Sequence, residues 1–87
     1  MAEDVSFSIR IIDENGYGVA NRDVSVRQDM LGSSDSQETD DDGWVHFTFD
    51  CGPRQRFYGW VSIAGADAEW YDLTADDGET FSFTVET

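Results

Sequence analysis

The sequence predicts an all-β fold, an antiparallel two-sheet β-sandwich built from six to seven short strands. Apolar and polar residues alternate over several short runs, which is the period of a strand with one buried face. Acidic turns that contain glycine recur between these runs, and no stretch has sustained helical periodicity with capping residues. With 87 residues, the chain is expected to form one domain, 1–87, because a second core has no room.

The clearest element is the run 39–49, in which an acidic turn opens directly into a strand. Its Asp-Gly pair permits the positive φ that a tight turn needs. The same turn chemistry recurs at 13–16 and 76–78. After the turn at 40–43, three apolar residues expected to face inward alternate with three expected to face outward: Val45, Phe47 and Phe49 against Trp44, His46 and Thr48.

The remaining strands follow from the same alternation. The predicted strands are Val5–Asp13, Asp23–Gln28, Trp44–Phe49, Phe57–Ala64 and Phe81–Val85, with a short edge strand at 72–74. The turn at Asn15-Gly16 either closes a tight hairpin or, given the residues that follow, opens a wider connection. Gly32–Glu38 is polar and is predicted to be a mobile connection. Gly59 inside a strand indicates a bulge or a close backbone approach.

The expected core is one set of apolar residues that share the inward faces of these strands. Its members are Val5, Phe7, Ile9, Ile11, Val19, Val24, Val26, Val45, Phe47, Phe49, Val61, Ile63, Leu73, Phe81, Phe83 and Val85.

Charge is the most unusual property of the composition. Nineteen acidic residues stand against five basic ones, all of them arginine, for a formal net charge of −14. This excess argues against nucleic acid and anionic membrane surfaces as partners, because binding to phosphates requires clustered cations. The acidic residues can simply keep the domain soluble. Alternatively, the acid excess without lysine resembles that of proteins from high-salt organisms, whose stability depends on screening.

The single cysteine, Cys51, rules out an intramolecular disulfide and favours a reducing compartment. The N-terminal residues have neither a basic region nor an apolar segment, so no signal peptide is expected. These features predict a cytoplasmic location for the chain as given. A module of a larger exported protein would instead lie outside the cell.

A resemblance to known domains is carried by three segments: the run from Ile11 to Gly16, the run from Gly18 to Val26, and Glu38 to Phe47. Together they resemble the carboxypeptidase regulatory-like and transthyretin-like sandwich domains. They are also similar to bacterial collagen-adhesin repeats and other bacterial immunoglobulin-like modules. The resemblance covers most of the chain and implies an Ig-like or prealbumin-like sandwich, but such modules have many roles.

Two activities found among those families are not expected here. Hydroxyisourate hydrolases of the transthyretin-like group end in a Tyr-Arg-Gly-Ser-type motif, whereas this chain ends Thr84-Val85-Glu86-Thr87. The adhesin modules often hold a Lys-Asn isopeptide bond, which cannot form without lysine. His46 and Cys51 are five residues apart, yet nothing in the sequence supplies an orienting group or an oxyanion site for them. We therefore expect no enzymatic activity and no cofactor.

A metal site is a further hypothesis. The aspartates at 40–42 could supply oxygen ligands to Ca²⁺, with backbone carbonyls completing the shell. The spacing is not that of an EF-hand loop, and consecutive aspartates point in different directions. Asp40, Asp41 and Asp42 are thus either a Ca²⁺ site or a plain turn.

Aromatic side chains give the second kind of candidate site. Trp44 and His46 are expected to face outward on one strand, and Tyr58 and Trp60 share a face on another. In the transthyretin-like arrangement these two strands lie in opposite sheets, which would make two patches. Exposed aromatics anchor protein partners and can stack on sugars. The alternative is that Trp60 and Trp70 complete the core or lie under a loop.

Two functional classes remain open. The first is a non-catalytic interaction or structural module that binds a protein partner or a copy of itself through a sheet face or an edge strand. The alternative is a small ligand-binding module, for carbohydrate through the aromatics or for Ca²⁺ through the acidic turns.

Overall fold

The computed structural model describes residues 4–29, 32–64 and 70–86. None of the described residues belongs to a helix long and apolar enough to cross a bilayer. A short 3-10 helix, Gly52–Arg54, follows the fourth strand. The strands of these ranges are β1 (Asp4–Ile12), β2 (Asp23–Gln28), β3 (Ser34–Glu38), β4 (Trp44–Asp50), β5 (Phe57–Ile63), β6 (Tyr71–Ala75) and β7 (Glu79–Thr84).

The strands form two sheets, which confirms the predicted all-β sandwich. One sheet has the order β4-β1-β7 and is called sheet A; the other has the order β3-β2-β5-β6 and is called sheet B. All neighbouring strands pair antiparallel except β1 and β7, which run parallel. β7 follows β6, which lies in the other sheet. No hairpin therefore connects β7 to its neighbour β1, and the two strands can run parallel.

The sequence assigned no strand to Gly32–Glu38, and this is wrong, because most of the segment is a strand. Ser34 to Glu38 pair antiparallel with β2 as the edge of sheet B. Only Gln37 is half-buried, and the other residues of β3 are exposed. The apolar alternation that marks the remaining strands is therefore missing, since an edge strand with little core contact does not require it. The short edge strand predicted at 72–74 is confirmed as β6, which lies at the other edge of sheet B.

The core lies between the two inner faces. Phe7 of β1 sits at its centre, with ring centroids 5.0 Å from Phe57 of sheet B and 5.9 Å from Phe47. Thirteen of the sixteen predicted core residues are buried, whereas Val19, Phe81 and Phe83 are only half-buried. The prediction omitted three apolar residues that complete the core: Cys51, Phe57 and Ala75.

Two of the acidic turns have the same hydrogen-bond pattern. Oδ1 of Asp13 accepts from the N–H of Asn15 and Tyr17, and Oδ1 of Asp40 accepts from the residues at the same offsets, Asp42 and Trp44, at 2.9–3.0 Å. In each turn the glycine N–H donates to the carbonyl of that aspartate at 3.0 Å. A carboxylate that accepts backbone bonds in this way fixes the turn locally.

The first of these turns is tight, and a wider connection follows it. The turn at 13–16 closes a β-bridge between Ile12 and Gly18, after which the chain continues to β2. The sequence left open whether this turn is a tight hairpin or a wider connection, and the structure has a tight turn followed by a wider connection.

The outer edge of β4 is covered by a side chain from the other sheet. Nε2 of Gln37 donates to the carbonyl of His46, and Oε1 of Gln37 accepts from the N–H of His46 at 3.4 Å. The amide group therefore takes the place of a neighbouring strand at this position. It also connects β3 to β4 across the open side of the sandwich.

Candidate binding groove

Trp44 and His46 lie on the outer face of sheet A, as predicted, and are held by their neighbours. Their rings stack with centroids 6.2 Å apart and planes inclined by 7°. Arg10 lies 5.8 Å from the Trp44 ring, and Ser8 Oγ is 2.7 Å from His46 Nδ1. Each aromatic side chain thus contacts a residue directly opposite on β1. Trp44 is half-buried in this arrangement and presents little free ring surface.

Tyr58 and Trp60 lie on the outer face of sheet B, so the four predicted residues form two patches on opposite sheets. The two rings have different surroundings. The guanidinium of Arg54 lies 4.2 Å from the centroid of the half-buried Tyr58 ring, a cation–π contact that covers it. Trp60 is 37 % exposed and Trp70 is 45 % exposed, so neither completes the core.

The two exposed indoles line one groove on the outer face of sheet B. The groove has a volume of about 430 Å³ and is bounded by Arg27, Asp29, Trp60 and Trp70. Register explains the arrangement, because Arg27 of β2 is directly opposite Trp60 of β5. Trp70 comes immediately before β6, the neighbour of β5. A second depression shares Arg27 and Trp70 and adds small hydroxyl groups from β2, β3 and β5: Ser25, Ser34, Ser36 and Ser62.

Asp29 forms a fixed wall of the groove. Both of its oxygens accept from Arg54, at 2.9 Å and 3.3 Å. This hydrogen-bonded ion pair raises the pKa of Arg54. The same guanidinium covers Tyr58, so Asp29, Arg54 and Tyr58 form one cluster beside the groove.

Arg27 differs from the other arginines. Its side chain forms no hydrogen bond or ion pair with any residue in the described ranges 4–29, 32–64 and 70–86. A guanidinium presents donors in a fixed planar arrangement, and here they remain free to meet a ligand. The other four donate to protein acceptors: Arg10 to the Asp42 carbonyl, Arg22 to the Ala64 carbonyl, Arg54 to Asp29 and Arg56 to Asp76.

The groove therefore combines flat apolar surface with hydrogen-bonding groups. Two indoles offer rings on which a ligand can stack. Arg27 offers donors, and the serine hydroxyls of the adjoining depression can donate or accept. These features suit a ligand that has an apolar face and a polar rim.

The acidic turn at 40–42 uses its first carboxylate internally. The N–H of Trp44, which donates to Asp40, lowers the pKa of that carboxyl group. The second Asp40 contact comes from the N–H of Asp42, on the same oxygen. In the part of the chain that the structure describes, no group of three or more His, Cys, Asp or Glu side chains is placed to hold a metal ion. Asp40 acts here as the residue that shapes the turn.

Cys51 and His46 are kept apart by the alternation of β4. His46 faces outward, whereas Cys51 is buried in the core beyond the strand end. Burial raises the pKa of the Cys51 thiol, which makes it a poor nucleophile. Nε2 of the buried Gln28 lies 3.5 Å from the sulfur and 3.2 Å from the Asp50 carbonyl. The thiol behaves as a small core residue.

Sequence reasoning found Trp60 but missed its companions Arg27, Asp29 and Trp70. The alternation of β2 does place Arg27 on the face opposite Val24 and Val26. That signal becomes useful only once β2 is known to pair with β5. Asp29 and Trp70 lie just outside strands, where alternation carries no information.

A scan of protein-family models and a search of curated proteins find no match to this sequence. The resemblance to carboxypeptidase regulatory-like and transthyretin-like domains therefore stays a prediction.

Proposed function

We propose that this protein is a non-catalytic binding module whose ligand site is the groove between Trp60 and Trp70. The observation that carries the proposal is the exposure of both indoles, 37 % and 45 %, within a single groove. Leaving two indole rings exposed to water is unfavourable, because each ring has a large apolar surface. An exposed pair on one face is the arrangement expected of a recognition surface.

The lining of the groove favours a carbohydrate ligand. A pyranose ring has an apolar face, which stacks on indole, and it carries hydroxyl groups around its rim. Arg27 in the groove and the serine hydroxyls of the adjoining depression, of which Ser25 and Ser36 also bond to each other, supply hydrogen-bonding groups. A neutral sugar is also indifferent to the net charge of −14, which would repel an anionic ligand at long range.

The test is a fluorescence titration in a Trp44→Phe background. Trp44 is on the other sheet, so emission from this variant reports on Trp60 and Trp70 alone. We expect saturable quenching or a blue shift with at least one member of a panel of neutral oligosaccharides. Trp60→Ala and Trp70→Ala should each weaken binding by about fivefold or more, since one aromatic stacking contact contributes roughly 1–3 kcal/mol.

Tyr17→Ala provides the matched control. Tyr17 is the most exposed large aromatic residue that the structure describes, at 72 %, and it does not line the groove. Its removal should leave the titration unchanged. A flat titration across the panel, with the fold intact by circular dichroism, would contradict the carbohydrate proposal.

A second candidate function is a module that binds a protein partner or a copy of itself. It is favoured by a separate observation, the outer edge of β7, which has no neighbouring strand among the described residues.

A further inference from the structure

The four edge strands of the sandwich are protected to different degrees. In β3, Asp35 and Glu38 place charges on the edge; in β6, Asp72 does the same. β4 is covered by the Gln37 amide group. β7 has none of these devices after Glu79: its residues 80–84 are uncharged and contain no proline or glycine. A flat, uncharged edge strand is a template for pairing with another strand.

Backbone alternation shows which groups this edge presents. The N–H of Val85 donates to the carbonyl of Ile12 on β1 at 2.9 Å. Successive residues of a strand point their backbone groups to opposite sides, so Phe81 and Phe83 also bond toward β1. The N–H and C=O groups of Thr80, Ser82 and Thr84 therefore point away from β1. No described strand accepts them.

The sequence of this edge reads the same in both directions: Thr80-Phe81-Ser82-Phe83-Thr84. We propose that β7 pairs antiparallel with β7 of a second copy of the chain, about a two-fold axis through Ser82. In this register Ser82 opposes Ser82 of the second copy, and Thr80 opposes Thr84. These are the residues whose backbone groups are free, and each such pair exchanges two hydrogen bonds.

The same register matches the side chains. Phe81 lies opposite Phe83 of the second copy in a non-hydrogen-bonded pair, where side chains approach most closely. Both rings are half-buried in the single chain and gain cover on pairing. On the outer face, hydroxyls oppose hydroxyls. The contact is isologous, as a two-fold dimer requires, and joins the two A sheets into one sheet.

Charge opposes this pairing and gives it a measurable signature. Each copy carries −14, and Glu79 and Glu86 flank the palindrome. Repulsion between the copies is screened as salt rises, so the dimer should be favoured by salt. This inference deepens the second proposed function and is independent of the groove.

The first measurement is the molar mass by sedimentation across protein concentration. We expect a monomer of 9.8 kDa at low concentration and twice that mass at high concentration. The midpoint should move to lower concentration between about 0.01 M and about 1 M NaCl, where the Debye length falls from ~30 Å to ~3 Å. A monomer at every concentration and salt would overturn the dimer.

Ser82→Lys tests the edge itself. It places like charges directly opposite each other at the two-fold axis and should weaken association at least about tenfold. The substitution lowers the net negative charge, which by itself would favour association, so a loss can be assigned to the edge. Thr74→Lys makes the same charge change on an exposed residue of β6 and should not weaken the dimer. Equal effects of the two variants would contradict the proposed edge.

Cysteine cross-linking tests the register and does not depend on the affinity of the dimer. Opposed Ser82 residues would have Cα atoms about 5.5 Å apart, within disulfide range. Thr80 would lie roughly 13 Å from Thr80 of the second copy, since four residues of strand separate them. Under mild oxidation, Ser82→Cys should form a covalent dimer and Thr80→Cys should not. The native chain is the background control, because Cys51 is buried. Equal cross-linking of both variants would exclude the two-fold register, and it would leave the carbohydrate proposal standing.

Discussion

Gly43 and Gly16 have nearly the same backbone conformation, with φ of 89° and 88°, in turns of the same hydrogen-bond pattern. Their surroundings differ. A Cβ atom on Gly43 would overlap the carbonyl oxygen of Ile11 and crowd the backbone of Gly18 and Val19, whereas a Cβ on Gly16 would meet nothing within 4 Å. Glycine is thus required at position 43 both by the positive φ and by the lack of space for a Cβ atom, whereas at position 16 it is required by the positive φ alone.

We expect Gly16→Ala to lower the free energy of unfolding by about 1–2 kcal/mol, the cost of the left-handed conformation for a residue with a Cβ. Gly43→Ala should lower it by roughly 3–5 kcal/mol, because a backbone clash adds to that strain. Urea denaturation of the two variants measures the difference. Equal losses would mean that the approach of Gly43 to β1 is looser than described.

Individual residues also show which details of the structure could be predicted from the sequence. The need for glycine in both turns follows from the Asp-x-x-Gly pattern. The close approach at Gly59 was one of two predicted options, and a Cβ there would indeed overlap the carbonyl oxygen of Arg27. The crowding at Gly43 could not be predicted, because it depends on Ile11, Gly18 and Val19, which lie far earlier in the chain.

At the scale of elements, β3 and β4 are linked by one side chain rather than by a ladder. The Gln37 amide group bonds to the backbone of His46 and holds the edge of sheet A against sheet B. An exposed polar strand such as β3 gains most of its tertiary contact with sheet A at this point.

Gln37→Ala should lower the free energy of unfolding by about 1–2 kcal/mol, since it leaves the His46 backbone groups without their protein partner. The N–H of His46 should also exchange with solvent faster in this variant, while the N–H groups of β1 keep their protection. Hydrogen exchange by NMR distinguishes the two effects. Glu38→Ala, on an exposed neighbouring residue, is the control. Unchanged His46 exchange would show that the side-chain bond does not persist in solution.

Strands with a buried face were predictable because burial imposes alternation, as in β1, β2 and β4. β3 was not, since its residues face solvent on almost every side. The groove was partly predictable for a related reason. Trp60 belongs to a strand with a pattern, but its neighbours Arg27 and Trp70 are brought to it by the order of strands in sheet B.

At the scale of the whole molecule, the net charge of −14 is spread over a chain of 87 residues. Only two ion pairs are formed by the described residues, Arg54–Asp29 and Arg56–Asp76. Most carboxylates therefore repel one another without local compensation, which disfavours the compact state.

Salt should stabilise the fold for this reason. Screening worth about 1 kcal/mol would raise Tm by ~4–8 °C for a domain of this size. Thermal unfolding of Ser82→Lys at low and high NaCl is the appropriate measurement, because dimer formation would otherwise add its own stabilisation. A Tm that does not change with salt would show that the acidic residues are too far apart to interact.

The turn at 40–43 packs backbone to backbone against the segment that follows the turn at 13–16, with Gly43 against Gly18 and Gly18 against Asp42. No space remains there for added residues, so the turn at 40–43 cannot be lengthened without separating it from Gly18 and from Ile11 of β1. The 3-10 segment, Gly52–Arg54, is exposed apart from half-buried Gly52 and makes no such contact at Gly52. Peptide insertion should therefore succeed directly after Gly52 and fail at 40–43 and at Gly18, provided that Arg54 and Arg56 keep their ion pairs with Asp29 and Asp76.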